Sequence, residues 1–273
     1  MKRGRSGIKS YMKRIIGDIK DIWNFRGMIF ELTHRELRGK YKGSLLGFLW
    51  TFVNPLCQIV VYAFFFSTIF RNGIEQFHVY LIIGMFPWNF FTGGVIQGLG
   101  SVRYQGDLIK KVYFPRQVLP IVSVNVNFVN MLLSFLIVYS AILVSGRNVD
   151  IRLQIYLIPI MIIEYIFTLG MALLLASIEV YFRDVEHITT VIIMVWMYVT
   201  PIFYDISFIP REYNRLFYSN PMLYIISSYH QVLYYKQPPL QGFLVKPFII
   251  SVVVLLIGWI VFDILERRFA EEL

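Results

Sequence analysis

The side chains whose type and setting would suit proton transfer are Glu164, buried in an otherwise uncharged run, and Asp107 and Asp184, each in a short charged link. A general acid or base needs a pKa brought near the working pH by burial or neighbours, and these three are the only candidates for such work beside a membrane surface. Metal chemistry has no support, because His34, His78, His187 and His230 are scattered and form no cluster with ligand spacing. No G-x-x-x-x-G-K-[ST] occurs, so the chain has no P-loop for nucleotide phosphates, and no G-x-S-x-G elbow marks a nucleophile. The single cysteine, Cys57, lies inside an apolar run, which excludes a disulfide framework within one chain.

A second kind of chemistry is anion recruitment. Arg35, Arg38, Lys40 and Lys42 stand immediately before a long uncharged stretch, where basic residues meet anionic headgroups and fix a helix end on the cytoplasmic side. They would equally suit the phosphate of a lipid carrier. Further charge clusters occur at Arg103, Asp107, Lys110 and Lys111, and at Arg183, Asp184 and Glu186 beside Phe182.

The elements that must position these groups follow from composition. With 273 residues, 57% hydrophobic content and 16% charge, the chain is too apolar for a soluble domain and reads as an all-α integral membrane protein. The net charge of +9 does not imply nucleic acid, since most of the 26 Lys and Arg gather at the ends of apolar runs.

Runs at about residues 45–70, 78–101, 117–145, 153–178, 188–204 and 247–263 predict six transmembrane helices. The first begins too late for a cleavable signal and should act as its own insertion signal. Residues 1–42 form a basic cytoplasmic tail with an N-terminal amphipathic interfacial helix over 25–42, and residues 43–273 form the transmembrane domain. Gly84, Pro87, Gly93, Gly94, Gly98 and Gly100 predict an interrupted second span. Apolar pieces between Asp205 and Lys246, cut by prolines, are too short to cross and predict re-entrant helices before the last span. The basic-residue bias places both termini in the cytoplasm.

Polar groups within the spans are Asn125, Asn127 and Asn130, suited to interhelical hydrogen bonds or a wet cavity, and Glu164, which must pair or serve transport. Among 24 Phe, 18 Tyr and 5 Trp, the clusters Phe86, Trp88, Phe90 and Phe91, and Tyr198, Phe203 and Tyr204, offer flat faces on which sugar rings could stack. Lipid-facing belts would account for the same composition.

The stretch YKGSLLGFLWTFVNP from Tyr41, DLIKKVYFPR from Asp107 and YFRDVEH from Tyr181, in this order among six runs, resembles the permease of ABC-2 type exporters. The likeness is greatest to the branch that exports O-antigen, capsule and teichoic-acid polymers. That resemblance implies a non-catalytic subunit in a bacterial cytoplasmic membrane. It implies two copies of the chain paired with two ATP-binding subunits, which hold ATP and Mg, and a lipid-linked polysaccharide as cargo. It implies that Arg103, Asp107, Lys110, Lys111, Phe182, Arg183, Asp184 and Glu186 couple the chain to those ATPases. The alternatives are an exporter of a drug or small lipid, and a membrane glycosyl- or acyltransferase using Glu164, Asp107 or Asp184.

Overall fold

The computed structural model describes residues 17, 20–39, 43, 47–65 and 73–272. Among them every regular element is helical. Helix α1, Arg26–Gly39, precedes α2, Trp50–Phe64, and α3, Phe77–Tyr104. A short α4, Gly106–Lys111, leads to α5, Val118–Val144; a 3-10 segment, Ile151–Tyr156, opens α6, Leu157–Glu179. Then come α7, Asp184–Val199, a four-residue α8, Asn214–Phe217, and α9, Pro221–Tyr229, continued by a π turn over His230–Tyr234. Helix α10, Gln241–Leu265, and the terminal α11, Phe269–Glu272, complete the chain.

Four helices, Phe77–Tyr104, Val118–Val144, Ile151–Glu179 and Gln241–Arg268, are long and apolar enough to cross a membrane. They make one bundle in which α3 lies centrally, packed on α2, α5, α6, α7 and α9, while α10 lies along α6. Helix α2 and the 16-residue α7 are apolar but largely uncovered; α7 buries only Thr189 and Ile193 within this chain. The expected runs 78–101, 117–145, 153–178 and 247–263 fall on the four long helices, while that at 188–204 falls largely on α7, which is too short to count among them; of the first, the residues before 47 and after 65 lie outside the described ones.

The second run is not interrupted, contrary to the expectation from its glycines and proline. Helix α3 runs unbroken for 28 residues with Pro87 inside it. Pro87 removes a single backbone donor, and its surroundings are buried among neighbouring helices that hold the turn in place. The glycines serve contact instead: a Cβ at Gly94 would lie 2.5 Å from Thr168 Cγ2, and one at Gly98 would lie 2.6 Å from the Ala172 Cβ. Small residues four apart let α3 and α6 approach along that line.

Between α7 and α10 the chain folds back. Asn220 caps α9, its Oδ1 accepting from the Met222 backbone N–H at 2.9 Å, with Pro221 at the first helical position. All nine residues of α9 are buried, against α3, α6 and α10. At the end of the bundle near Tyr80, the Asp205 carboxyl accepts from the Ser207 backbone N–H at 2.8 Å and from the Tyr235 hydroxyl. Burial alone would raise that carboxyl, but the bonds from Ser207 and Tyr235 outweigh it and hold it below the usual carboxylate range.

Helix α1 lies across the start of α5. Leu32, buried, joins Phe25, Met28 and Ile29 against Phe114, Val118, Val122 and Val126, a stripe at helical spacing. Phe30 is exposed, because the covered stripe lies one position round the helix from it.

Candidate functional site

The charged links meet at one end of the bundle, and Arg103 is their centre. It sits in the last turn of α3, where a cation suits the negative end of the helix dipole, and Glu186 sits in the first turn of α7, where an anion does. Arg103 Nη2 donates to Glu186 Oε2 at 2.9 Å. Its Nη1 lies 2.9 Å from Oε1 of Glu179, the last residue of α6, which is wholly buried; that contact is one of charge, without hydrogen-bond alignment. The guanidinium also covers the Tyr104 ring at 4.7 Å, while the Tyr104 hydroxyl donates to Glu186 Oε1 at 3.0 Å. One arginine therefore ties the ends of α3, α6 and α7 together.

Helix α1 and the C-terminal turn join the same end of the bundle. Gln105 Nε2 donates to Glu36 Oε1 of α1 at 3.1 Å. Arg116 donates to the Glu266 carbonyl and lies over the Phe269 ring, and the Tyr181 hydroxyl donates to the Leu265 carbonyl at 2.8 Å. The link after α3, the link after α6, α1 and the C-terminal turn thus form one continuous face.

Of the residues expected to couple to an ATPase, Arg103 and Glu186 are spent on each other, whereas Asp107, Lys110, Lys111, Phe182, Arg183 and Asp184 are exposed on that face. Tyr113, 94% exposed, extends it. Arg35 and Arg38 are exposed on α1; Lys40 and Lys42, expected beside them, lie outside the described residues.

Inside the bundle the polar groups act mainly across helices. Glu164, fully buried on α6, accepts from the Tyr229 hydroxyl of α9 at 2.7 Å, which anchors the fold-back helix to a long one. The Tyr165 hydroxyl donates to Asn125 Oδ1 at 2.6 Å, and Asn127 Nδ2 donates to Gln97 Oε1 at 3.0 Å. Asn130 Oδ1 is buried with no hydrogen bond.

The aromatic clusters divide. Phe91 stacks on Phe167 at 5.4 Å and meets Trp196 edge-on at 5.3 Å, and Trp88 packs beside it; both are buried, with their faces taken up by helices of this chain. Phe203 is likewise buried, between Tyr62 and Tyr198, and the Tyr204 hydroxyl donates to the Tyr198 carbonyl. Of the rings that could have offered faces to sugar, core packing uses Trp88, Phe91 and Phe203. Tyr198 is exposed, and Phe86 and Phe90 border a cavity between α2, α3 and α5.

A membrane-length helical bundle with a charged face at one end is a common transporter arrangement, and comparison with known proteins decides among transporters. Residues 28–234 match the family described as ABC-2 type transporter. The chain belongs to that family. This ABC-2 permease is 32% identical over 257 residues to the O-antigen export system permease protein RfbA of Myxococcus xanthus, covering 93% of this chain and 98% of the relative. It is 30% identical to the protein of the same name from Klebsiella pneumoniae, over 90% of this chain and 96% of that one. The polysialic acid transport protein KpsM of Escherichia coli is 19% identical over 70% of this chain.

Sequence reasoning located the permease's two charged links, with Glu179 at the start of the second, but not the pairing of Glu179 with Arg103, for which it carries no spacing signal. Asn54, Gln58 and Asn89 were passed over because the runs holding them contain no charge. The spacing of Asn54 and Gln58, four apart and so on one helix face, was the available signal.

Proposed function

We propose that this permease is the non-catalytic membrane subunit of an ATP-driven exporter of a lipid-linked cell-surface polysaccharide. The observation carrying this reading is similarity over nine-tenths of the chain to permeases named for O-antigen export. Two copies work with two copies of a separate ATP-binding subunit, to which the nucleotide belongs, since this sequence has no P-loop. The reading adds α2 and α7 to the four long helices to make six spans, with α9 re-entrant. It places both termini and the charged face in the cytoplasm of a bacterium, in line with the basic-residue bias. A second copy suits the apolar sides of α2 and α7, which the described helices of this chain leave largely exposed.

In this reading Asp107, Lys110, Lys111, Phe182, Arg183 and Asp184 receive the motion of the ATPases, and the Arg103 contacts pass it to α3, α6 and α7 together. The test is surface polymer in a strain lacking the gene, complemented with wild type or with Lys110→Glu and Lys111→Glu together. Wild type is expected to restore polymer. The charge-reversed chain is expected to reach the membrane yet export at most about one-tenth as much, a loss of about 1.4 kcal/mol in coupling. No restoration by wild type, with a functional ATP-binding subunit present, would reject export; full activity of the reversed chain would reject this docking face.

Arg35 and Arg38, exposed on α1, would meet the carrier's diphosphate at the headgroup level. Each cation near such a surface contributes about 1 kcal/mol, so neutralising both by Arg35→Gln and Arg38→Gln should weaken carrier recruitment by more than about tenfold. Export measured at limiting carrier concentration reads the effect. Unchanged export at every carrier concentration would make these residues topological anchors only.

A further inference from the structure

We infer that a sugar-binding subsite lies inside the bundle, in the cavity of about 270 Å³ between α2, α3 and α5. The inference rests on the polysaccharide-export reading and adds where, and by which groups, the chain touches its cargo. The cavity is near the middle of α3 and α5, and its wall is unusually polar for that depth. Asn54 and Gln58 enter from α2, Asn89 from α3, and Asn127, Asn130 and Ser134 from α5.

The hydrogen-bond accounts of these side chains are incomplete within the chain. Asn127 is buried and commits both amide hydrogens, to Gln97 Oε1 at 3.0 Å and to the Ser123 carbonyl at 2.8 Å. Its Oδ1 has no donor among the described residues. Asn130 Oδ1 is buried and unpaired, while Asn54 and Gln58 are exposed and Asn89 is half-buried along the same cavity. In hydrocarbon each unsatisfied group costs several kcal/mol. A polar occupant of the space would satisfy the Asn127 and Asn130 carbonyl oxygens and meet the amides of Asn54, Gln58 and Asn89 beside them.

The chemistry of the wall selects the occupant. No ionisable side chain lines the cavity among the described residues, so a phosphate or carboxylate would find no counter-charge. Amides donate and accept at once, matching sugar hydroxyls, which do the same. Trp50, which is exposed, borders the same space and offers aromatic surface for a pyranose ring; Phe86 and Phe90 also line it but are buried. The volume lies near the lower end of small-molecule sites, about 300 Å³, and suits a single sugar unit of a passing chain. Binding by a few neutral hydrogen bonds is strong enough to replace water and weak enough to release each unit in turn.

The test uses the full chain with its ATP-binding subunit in lipid nanodiscs, and reads saturation-transfer NMR to mannotriose, a neutral oligosaccharide, with inorganic pyrophosphate as the anionic probe. Wild type is expected to transfer saturation to mannotriose. Asn54→Ala with Gln58→Ala should lower that signal about tenfold, about 1.4 kcal/mol, while the amide-preserving exchange Asn54→Gln with Gln58→Asn should stay within about twofold of wild type. Cells carrying the same variants should show parallel changes in surface polymer at equal membrane abundance.

No transfer to mannotriose from wild type, transfer to pyrophosphate alone, or an undiminished signal in the alanine pair each overturns the subsite. Loss of the alanine pair from the membrane, or dissociation of its copies, assigns the amides to folding or to contact between copies and also overturns it. Mannotriose binding that depends on the amides, in cells where wild type displays no polymer, would fail the export reading and leave the subsite standing. Normal polymer display by the alanine pair would do the reverse.

Discussion

Replacing Arg103 with alanine is expected to abolish polymer export and to destabilise the charged end of the bundle. The substitution strands Glu179, whose side chain is wholly buried, without its cation, and frees Glu186 on α7. Removing one partner of a buried pair costs about 3–5 kcal/mol. Because Arg103 itself keeps 27% of its surface exposed, the low end, about 3 kcal/mol, applies here.

The second change separates stability from coupling. Adding Glu179→Gln to Arg103→Ala removes the stranded charge, so the double variant should regain part of the stability, a coupling readable from a double-mutant cycle. Export should stay low, because nothing then holds the ends of α3, α6 and α7 together. Thermal denaturation in detergent and surface-polymer assays read the two effects independently. Export by Arg103→Ala at the wild-type rate would show that the three helix ends respond to the ATPases separately.

Gly258→Ala should prevent α6 and α10 from closing. A Cβ at Gly258 would lie 2.3 Å from the Gly170 carbonyl oxygen, and one at Gly170 would lie 2.6 Å from the Leu255 backbone nitrogen. The obstructing atoms are backbone, which no rotamer change can move aside. The helices must separate along their length, and α10 packs on the bundle mainly through α6. Overpacking typically costs about 1–3 kcal/mol, and a backbone obstruction lies at the upper end of that range. A loss of about 3 kcal/mol corresponds to a fall of about 6–12 °C in the denaturation midpoint. Gly242→Ala, at the start of the same helix with no atom within 4 Å of the added carbon, is the control and should leave the midpoint unchanged. Equal midpoints for the two variants would show that the contact relaxes without cost.

Much of the architecture was legible in the sequence because its determinants are local. A run of uncharged residues of membrane length has one low-energy backbone in hydrocarbon, the helix, since every N–H and C=O must be satisfied within the segment. Basic residues at the flanks act on the nearest membrane surface and need no tertiary partner. The long helices and the charged links around Lys110 and Arg183 followed from composition along the chain. The interrupted second span did not, because a glycine's effect depends on what lies opposite. Against Thr168 and Ala172, Gly94 and Gly98 permit close packing of an unbroken helix.

What tertiary structure alone decided is the pairing of polar groups remote in sequence. Arg103 meets Glu179 and Glu186, Glu164 meets Tyr229, and Gln105 meets Glu36. Nothing in the composition of either partner identifies the other, because in a bundle of apolar helices rotation and depth are set by side-chain packing and by glycine contacts such as that of Gly170 with Gly258. The same packing buries Trp88 and Phe91, which the sequence left open between sugar stacking and packing, and leaves Asn130 Oδ1 unpaired beside one cavity. The sequence by itself determined that the chain enters a membrane as helices and where its charged links fall, since hydrophobic transfer acts residue by residue. Which polar groups are satisfied within the chain, and which are left to bind something else, only the folded bundle decides, since a hydrogen bond exists only where packing brings donor and acceptor within about 3 Å.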